Sequence, residues 1–272
     1  MTTATLTRAA ARPAGDHYGF RDVARMEWLK LRSVRSTWWT LLVFAAAMIG
    51  LAIPILNVHW ATMSAADRAS FDPTNDSFSG LAVGQLALGV LGVLIMTSEF
   101  SSGMIRATLA AVPRRPLVLA AKAAVVAAVA LVAGEILAFA AFAVGELVLP
   151  SPAPHASLAQ PGVLRAVLMG GAYPALIALI GLGLGALIRH TAGAICAVAG
   201  VLFALPLILV PLGTSVQNAV GQYMPMMMAE NSLTAVKPVA HGLSPGVAFG
   251  LLCLYAAVAL AVGGWALSRR DA

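Results

Sequence analysis

Charge is what this sequence has least of. Only 10% of its 272 residues are Asp, Glu, Lys or Arg, against 60% hydrophobic, whereas a soluble domain carries about a quarter charged residues. A water-facing surface cannot be built from so few charges, so lipid must cover much of the chain. Cysteine is scarce as well. Cys196 and Cys253 each lie inside an apolar run with no partner at metal-ligand spacing. That excludes a disulfide framework and leaves both to be read as small buried apolar residues. No G-x-x-x-x-G-K-[ST] occurs, so no loop of that type can cradle a nucleotide phosphate. The N-terminal stretch has neither the short apolar core nor the small-residue cleavage site of a signal peptide. Residues 1–19 read as a disordered cytoplasmic tail and 20–272 as a single membrane domain.

What the chain does have is long apolar runs. A bilayer core of about 30 Å needs roughly 20 apolar residues in a helix. Six stretches qualify, at about Trp38–Val58, Gly80–Thr97, Leu117–Val144, Ala166–Ile188, Ala192–Leu212 and Pro245–Leu267. Pro206 and Pro211 interrupt the fifth, which neighbouring helices tolerate by satisfying the freed carbonyls. The expected fold is therefore an all-α polytopic membrane protein with six transmembrane helices. The basic residues orient it. Seven precede the first run (Arg8, Arg12, Arg21, Arg25, Lys30, Arg32, Arg35), and Arg106, Arg114, Arg115 and Lys122 lie between the second and third. Arg189 separates the fourth and fifth, and Arg269 and Arg270 follow the sixth, whereas the opposite side holds only Arg68, Arg165 and Lys237. The positive-inside rule then places both termini in the cytoplasm of a cell-membrane protein. The net charge of +6 reports topology and contact with an anionic lipid bilayer, not nucleic acid.

Two cytoplasmic pieces stand out. Phe20 to Ser36 reads as an amphipathic interfacial helix: at 100° per residue Phe20, Val23, Ala24, Trp28, Leu31 and Val34 share an arc, with Arg21, Arg25 and Arg32 beside it. Glu27 and Lys30 intrude on the edges of that arc. In Ser98–Lys122, the residues Met104, Ile105, Leu109 and Val112 recur at near-helical spacing, and Pro113 and Pro116 bracket Arg114 and Arg115. Reversing the chain needs only a tight loop, so a structured basic element here predicts a docking surface for a partner, with a helix lying on lipid as the plainer reading. Glu99, at the end of the second run, suits a cap on the following helix. On the other side Thr214–Ser244 is semi-apolar and reads as short helices dipping into the outer leaflet.

Few residues are candidates for chemistry. Thirteen residues beyond Lys122, Glu135 should lie about 20 Å deeper, as a polar point on a translocation path, a proton site, or a hydrogen-bonded packing residue. Gly242-Leu243-Ser244-Pro245-Gly246 matches the G-x-S-x-G pattern, but a helix start with Ser244 as N-cap and Pro245 as first helical residue explains it better than a nucleophile elbow. Met224 to Met228 reads as adaptable packing rather than a copper(I) site. Gly80-x-x-x-Gly84 and Gly181-x-x-x-Gly185 fit close helix approach, within the subunit or between subunits.

The basic elbow EWLKLRSVRSTWW, the segment EFSSGMIRATLAAVPRRPLVLAAK and the six runs together resemble the permease subunit of a type-2 ATP-binding cassette exporter. The family's loop pattern falls here on Glu99, Gly103, Arg106, Pro113, Arg115 and Lys122, with Met104 where a Thr commonly follows the Gly. The resemblance implies a separate ATPase subunit and a second permease copy, as homodimer or related heterodimer. ATP would be used by that partner and no cofactor held on this chain. It also implies a coupling role for the loop (Glu99, Gly103, Ile105, Arg106, Leu109, Pro113, Arg114, Arg115) and an elbow of Arg21, Arg25, Trp28, Leu31 and Arg32 that faces the ATPase. Export of an amphipathic or hydrophobic substrate is the expected function. The alternative is a secondary proton-coupled transporter using Glu135, although the two halves show no repeat. An intramembrane enzyme is the third reading, and it lacks paired catalytic residues.

Overall fold

The computed structural model describes residues 19–64, 68, 71–235 and 242–270. The tail through residue 18, with Arg8 and Arg12, lies outside the described residues, as do Asp67, Lys237 and His241. Among the described residues every regular element is helical. Six helices are long and apolar enough to cross a membrane: Arg35–Thr62, Leu81–Ser101, Arg115–Val148, Val163–Ile188, Thr191–Leu212 and Pro245–Arg269. The helix Phe20–Ser33 precedes them, and a short helix, Met104–Ala111, joins the second span to the third.

Local sequence accounts for the interruptions. The first span breaks into Arg35–Gly50 and Ala52–Thr62, where Gly50 weakens the helix and Pro54 has no N–H to donate four residues back. In the fifth span a π-helical turn at Gly200–Ala204 leads into Pro206, absorbing the bond that proline cannot make. At Gly103 the backbone is left-handed, with φ of 71°. This glycine ends the second span and turns the chain into the short helix, a conformation that strains any residue with a Cβ. The third span has 34 residues and reaches roughly 50 Å at 1.5 Å each. It therefore extends past the hydrocarbon core, carrying Lys122 toward one surface and Glu146 toward the other.

The fourth span is the hub, packed against the second, third and sixth. Glycine is what lets the backbones meet. A Cβ at Gly92 would stand 1.9 Å from the Ala178 carbonyl oxygen, and one at Gly181 would stand 2.2 Å from that of Gly89. Membrane helices gain nothing from expelling water against one another, so this contact supplies the attraction. Both glycine pairs of the sequence pack inside the subunit: Gly80 and Gly84 against Ala47, Met48 and Phe44 of the first span, Gly181 and Gly185 against the second. The fifth span is the opposite case, mostly exposed, with Leu207, Ile208 and Val210 facing outward. Both cysteines are exposed rather than buried. They lie on the fifth and sixth spans, where an apolar residue need not face protein because lipid solvates it.

Candidate functional site

At the end of the bundle that collects the basic residues, four charged side chains from three elements converge. The helix Phe20–Ser33 supplies Glu27 and Lys30, roughly two turns and one turn of sequence short of the first span. Glu99 comes from the last turn of the second span and Lys122 from the second turn of the third. Lys122 Nζ lies 2.6 Å from Glu27 Oε2 and 2.6 Å from Glu99 Oε1. Lys30 Nζ lies 3.0 Å from Glu27 Oε1 and 2.9 Å from the same Glu99 oxygen. The two ammonium groups and two carboxylates alternate around a closed ring. Lys30 also donates to Thr108 Oγ1 at 3.1 Å, which ties the short helix to the ring.

The quartet is nearly dry. Lys122, Glu27 and Glu99 are almost wholly buried, and Lys30 keeps about a quarter of its side chain exposed. A lone charge there would be costly, and the ring is tolerable because its formal charges cancel and most of its donors are satisfied. Burial pulls the Lys30 ammonium down, but the hydrogen bond to Glu99 and then the charge and hydrogen bond of Glu27 outweigh it, leaving Lys30 above its ordinary value. Beside the ring, a cavity of about 290 Å³ opens between Leu31 and Val34 on one side and Leu91 and Leu94 on the other.

A second set of contacts closes the same end. Arg115 donates from Nη1 to the Leu267 and Arg270 carbonyls, each at 2.9 Å. Arg189 donates to Ala266 O at 3.1 Å and stacks over Phe100 at 5.0 Å. Arg270 returns a bond to Leu187 O at 3.2 Å. Cations thus sit on the terminal carbonyls of the fourth and sixth spans, where the helix dipole favours them.

The expected coupling residues divide between inside and outside. Glu99 belongs to the quartet and does not cap the short helix, which starts at Gly103 without a side-chain cap. Ile105 is only 2% exposed and Leu109 is half-buried against the protein's own core. The apolar stripe that periodicity marked for a partner is therefore already filled. Met104, Arg106, Ala107, Ala110, Ala111 and Pro113 face outward instead. Arg114 stands at the start of the third span. The elbow's apolar arc also splits. Val23 and Leu31 are buried together with Glu27, whereas Phe20, Trp28 and Val34 are exposed beside Arg21, Arg25 and Arg32. Glu27 and Lys30, which looked like flaws in that arc, are the residues that bind it to the spans. No local signal could have found this, because Glu99 and Lys122 are distant in sequence.

Glu135 takes no part in the ring. Its carboxyl packs against the fourth span, where a Cβ at Gly171 would stand 2.6 Å from Oε2. That oxygen is buried and has no hydrogen-bond partner among the described residues. Ser244 immediately precedes the sixth span, with Pro245 as its first helical residue. Among the described residues no cluster of His, Cys, Asp or Glu has the arrangement of a metal site.

At the opposite end the polar contacts are scattered rather than joined in one ring. Tyr173 donates its hydroxyl to Gln85 Oε1, and Gln85 Nε2 reaches Met226 Sδ at 3.4 Å. Met226 belongs to the helix Pro225–Leu233, which packs on the fourth and sixth spans. Sequence reading passed over Gln85 and Tyr173, although each is a polar residue inside an apolar run.

Six apolar spans, the fourth of them a glycine-lined hub, define a multi-pass helical membrane protein, and the quartet gives it an internally braced end. The chain belongs to the ABC-2 transporter family: the family model described as ABC-2 family transporter protein matches residues 24–205, well over half its length. It is thus the permease subunit of an ABC transporter, a membrane transport component, and the family implies an ABC ATPase partner. No curated protein matches the chain.

Proposed function

We propose that this permease works in an ATP-driven exporter of the cell membrane, with both termini cytoplasmic and a separate ATPase docked at the basic end. The observation that carries the reading is the quartet. It joins the N-terminal helix, the second span, the short helix and the third span into one unit, so a push on the short helix moves two spans together. A loop that only reversed the chain would need no buried ion pairs, which are costly to assemble. The docking face consists of Met104, Arg106, Ala107 and Ala110, with Arg21 and Arg25 of the elbow beside it. A second permease copy completes the assembly, and the substrate crosses as an amphipathic or hydrophobic molecule.

The test is purification of the tagged chain from its own membranes. ATP hydrolysis should co-elute with the wild type and be absent from the chain produced alone, which has no phosphate-binding loop. Met104→Asp removes about 1.5–3 kcal/mol of apolar burial at the docked face and adds a desolvated charge. ATPase recovery should fall at least tenfold, at an expected tenfold per 1.4 kcal/mol, while the amount of permease in the membrane holds. Arg106→Ala should act more mildly and in a salt-dependent way. Full ATPase recovery with Met104→Asp would move the docking site elsewhere. Wild-type preparations that never carry an ATPase would remove the ATP-driven reading altogether.

A further inference from the structure

Beyond Leu205 the chain builds a cavity of about 330 Å³ at the end opposite the quartet. Every described residue lining it falls between Pro206 and Gly242, so it lies outside the stretch that the family match covers. The walls are apolar and soft: Leu209 and Val210 come from the fifth span, and the thioethers of Met224 and Met227 stand across from them. Gln217 and Gln222 add amides at the rim. No Lys or Arg occurs in the described lining.

Two polar groups in this lining stand apart. Asn231 is 3% exposed, and its Oδ1 has no hydrogen-bond partner among the described residues. That oxygen is directed at Gly242, another lining residue, where a Cβ would stand 2.2 Å away. Its neighbour Glu230 also lines the cavity and is mostly buried, with no ion pair among the described residues. A buried acceptor without a donor costs about 1–3 kcal/mol. A carboxylate among apolar walls, with no cation paired to it among the described residues, is the complement of a positively charged N–H donor on an apolar body. The volume suits a drug-sized molecule, since such sites run from about 300 Å³ upward.

We propose that this cavity binds an organic ammonium with an apolar body, the charge held by Glu230. As a substrate class for the exporter this rests on the reading above; as a binding site it does not. Protons compete for the site. Burial, and then the nearby charge of Asp76, push the Glu230 carboxyl above its ordinary value. The groups around it are Asp76 and Asp72 beside the second span, His59 of the first span on Asp76 at 3.2 Å, and Tyr173 of the fourth. Arg165 of the fourth span is nearby but is committed to the Ser232 and Thr234 carbonyls, at 2.9 and 2.7 Å, so among the described residues no cation is paired with Glu230 itself.

Dansylcadaverine, a fluorescent primary ammonium, and its neutral N-acetyl derivative separate charge from bulk. Equilibrium dialysis against the full chain in lipid nanodiscs, with empty discs subtracted, should give saturable binding of the ammonium. The neutral form should bind at least tenfold more weakly. Glu230→Gln should weaken the ammonium at least tenfold and leave the neutral form unchanged. Acidification should weaken binding to the wild type and not to that variant. Met227→Trp, which fills the cavity without touching a charge, should abolish binding of the ammonium. No saturable binding to the wild type, equal binding of both probes, or undiminished ammonium binding by Glu230→Gln would each overturn the proposal, the last two pointing to a site for lipid chains or neutral amphiphiles. No ATPase is present in these discs, so failure here leaves the exporter reading intact, and loss of co-eluting ATPase leaves this site intact.

Discussion

At the end of the bundle that carries Lys30 and Lys122, each buried charge faces one of the opposite sign. At the other end, Glu230 lines a cavity and feels the like charge of Asp76, whose own contact is His59 at 3.2 Å. The first arrangement is matched and tight, with ion pairs of 2.6 to 3.0 Å. The second is mismatched, and burial pushes both carboxyls above their ordinary values, with the charge of one raising the other. A matched ring is suited to moving as a unit, because separating its members exposes charge. A mismatched pair is suited to changing its occupancy, because a proton or a cation relieves it. One chain thus has a braced end facing the proposed source of force and an adaptable end facing the proposed cargo.

The strongest way to break this contrast is to unbalance the ring. Lys122→Met leaves two carboxylates to share Lys30. Removing one partner of a buried ion pair typically costs about 3–5 kcal/mol, so thermal unfolding in detergent should shift sharply downward. Combining it with Glu99→Gln restores charge balance, and the double variant should melt above the single one. Equal melting of the single variant and the wild type would show that the ring is not a brace.

A smaller effect is expected from the arginines at the same end. Arg115→Ala removes two charge-assisted bonds to the sixth span's terminal carbonyls. The loss should be about 1–2 kcal/mol, softened because Arg189 also donates to Arg270 O. Arg115→Lys keeps the charge but not the reach and planar geometry that set Nη1 between the two carbonyls, and should recover only part of the loss. Full recovery would mean that the dipole term alone acts here.

How legible these two ends were in the sequence differs for a physical reason. The six spans were readable because each depends on its own run of apolar residues, and the basic side was readable because the charge bias is local to the span ends. Even the break at Pro206 and the helix start at Ser244 follow from single residues. The quartet was not readable, since Glu27 and Lys30 acquire their meaning only from Glu99 and Lys122, dozens of residues away. Periodicity also assigned Ile105 and Leu109 to a partner when the protein's own core already takes them in. An amphipathic stripe shows that a face is buried, not what buries it. Glu230 and Asn231 were hidden differently: they lie in a semi-apolar stretch where no period marks which side chains turn inward.

The smallest effect, and the one that most sharpens the contrast, is a pH slope that one substitution should flatten. Asp76 and Glu230 are held above their ordinary values by burial and then by neighbouring charge, with His59 pulling Asp76 partly back. A carboxyl raised in this way binds its proton more tightly in the folded chain than in the unfolded one. Its contribution to stability is therefore full below the unfolded value, about 4.3 for Glu and 3.9 for Asp. It is lost as pH rises through the raised folded values. The braced end has no such slope in this window. Lys30 is raised instead, so its contribution is full below the unfolded value of about 10.4 and fades only above that. The wild-type melting temperature should thus decline from mildly acidic toward neutral pH on account of the cavity end. Glu230→Gln cannot titrate. Its profile should be flatter, and at neutral pH it should melt at or slightly above the wild type, by a few degrees at most. The opposite outcome, a variant that melts lower at neutral pH with an unchanged slope, would mean that Glu230 is held by a favourable partner, and the contrast between the two ends would fail at its acidic half.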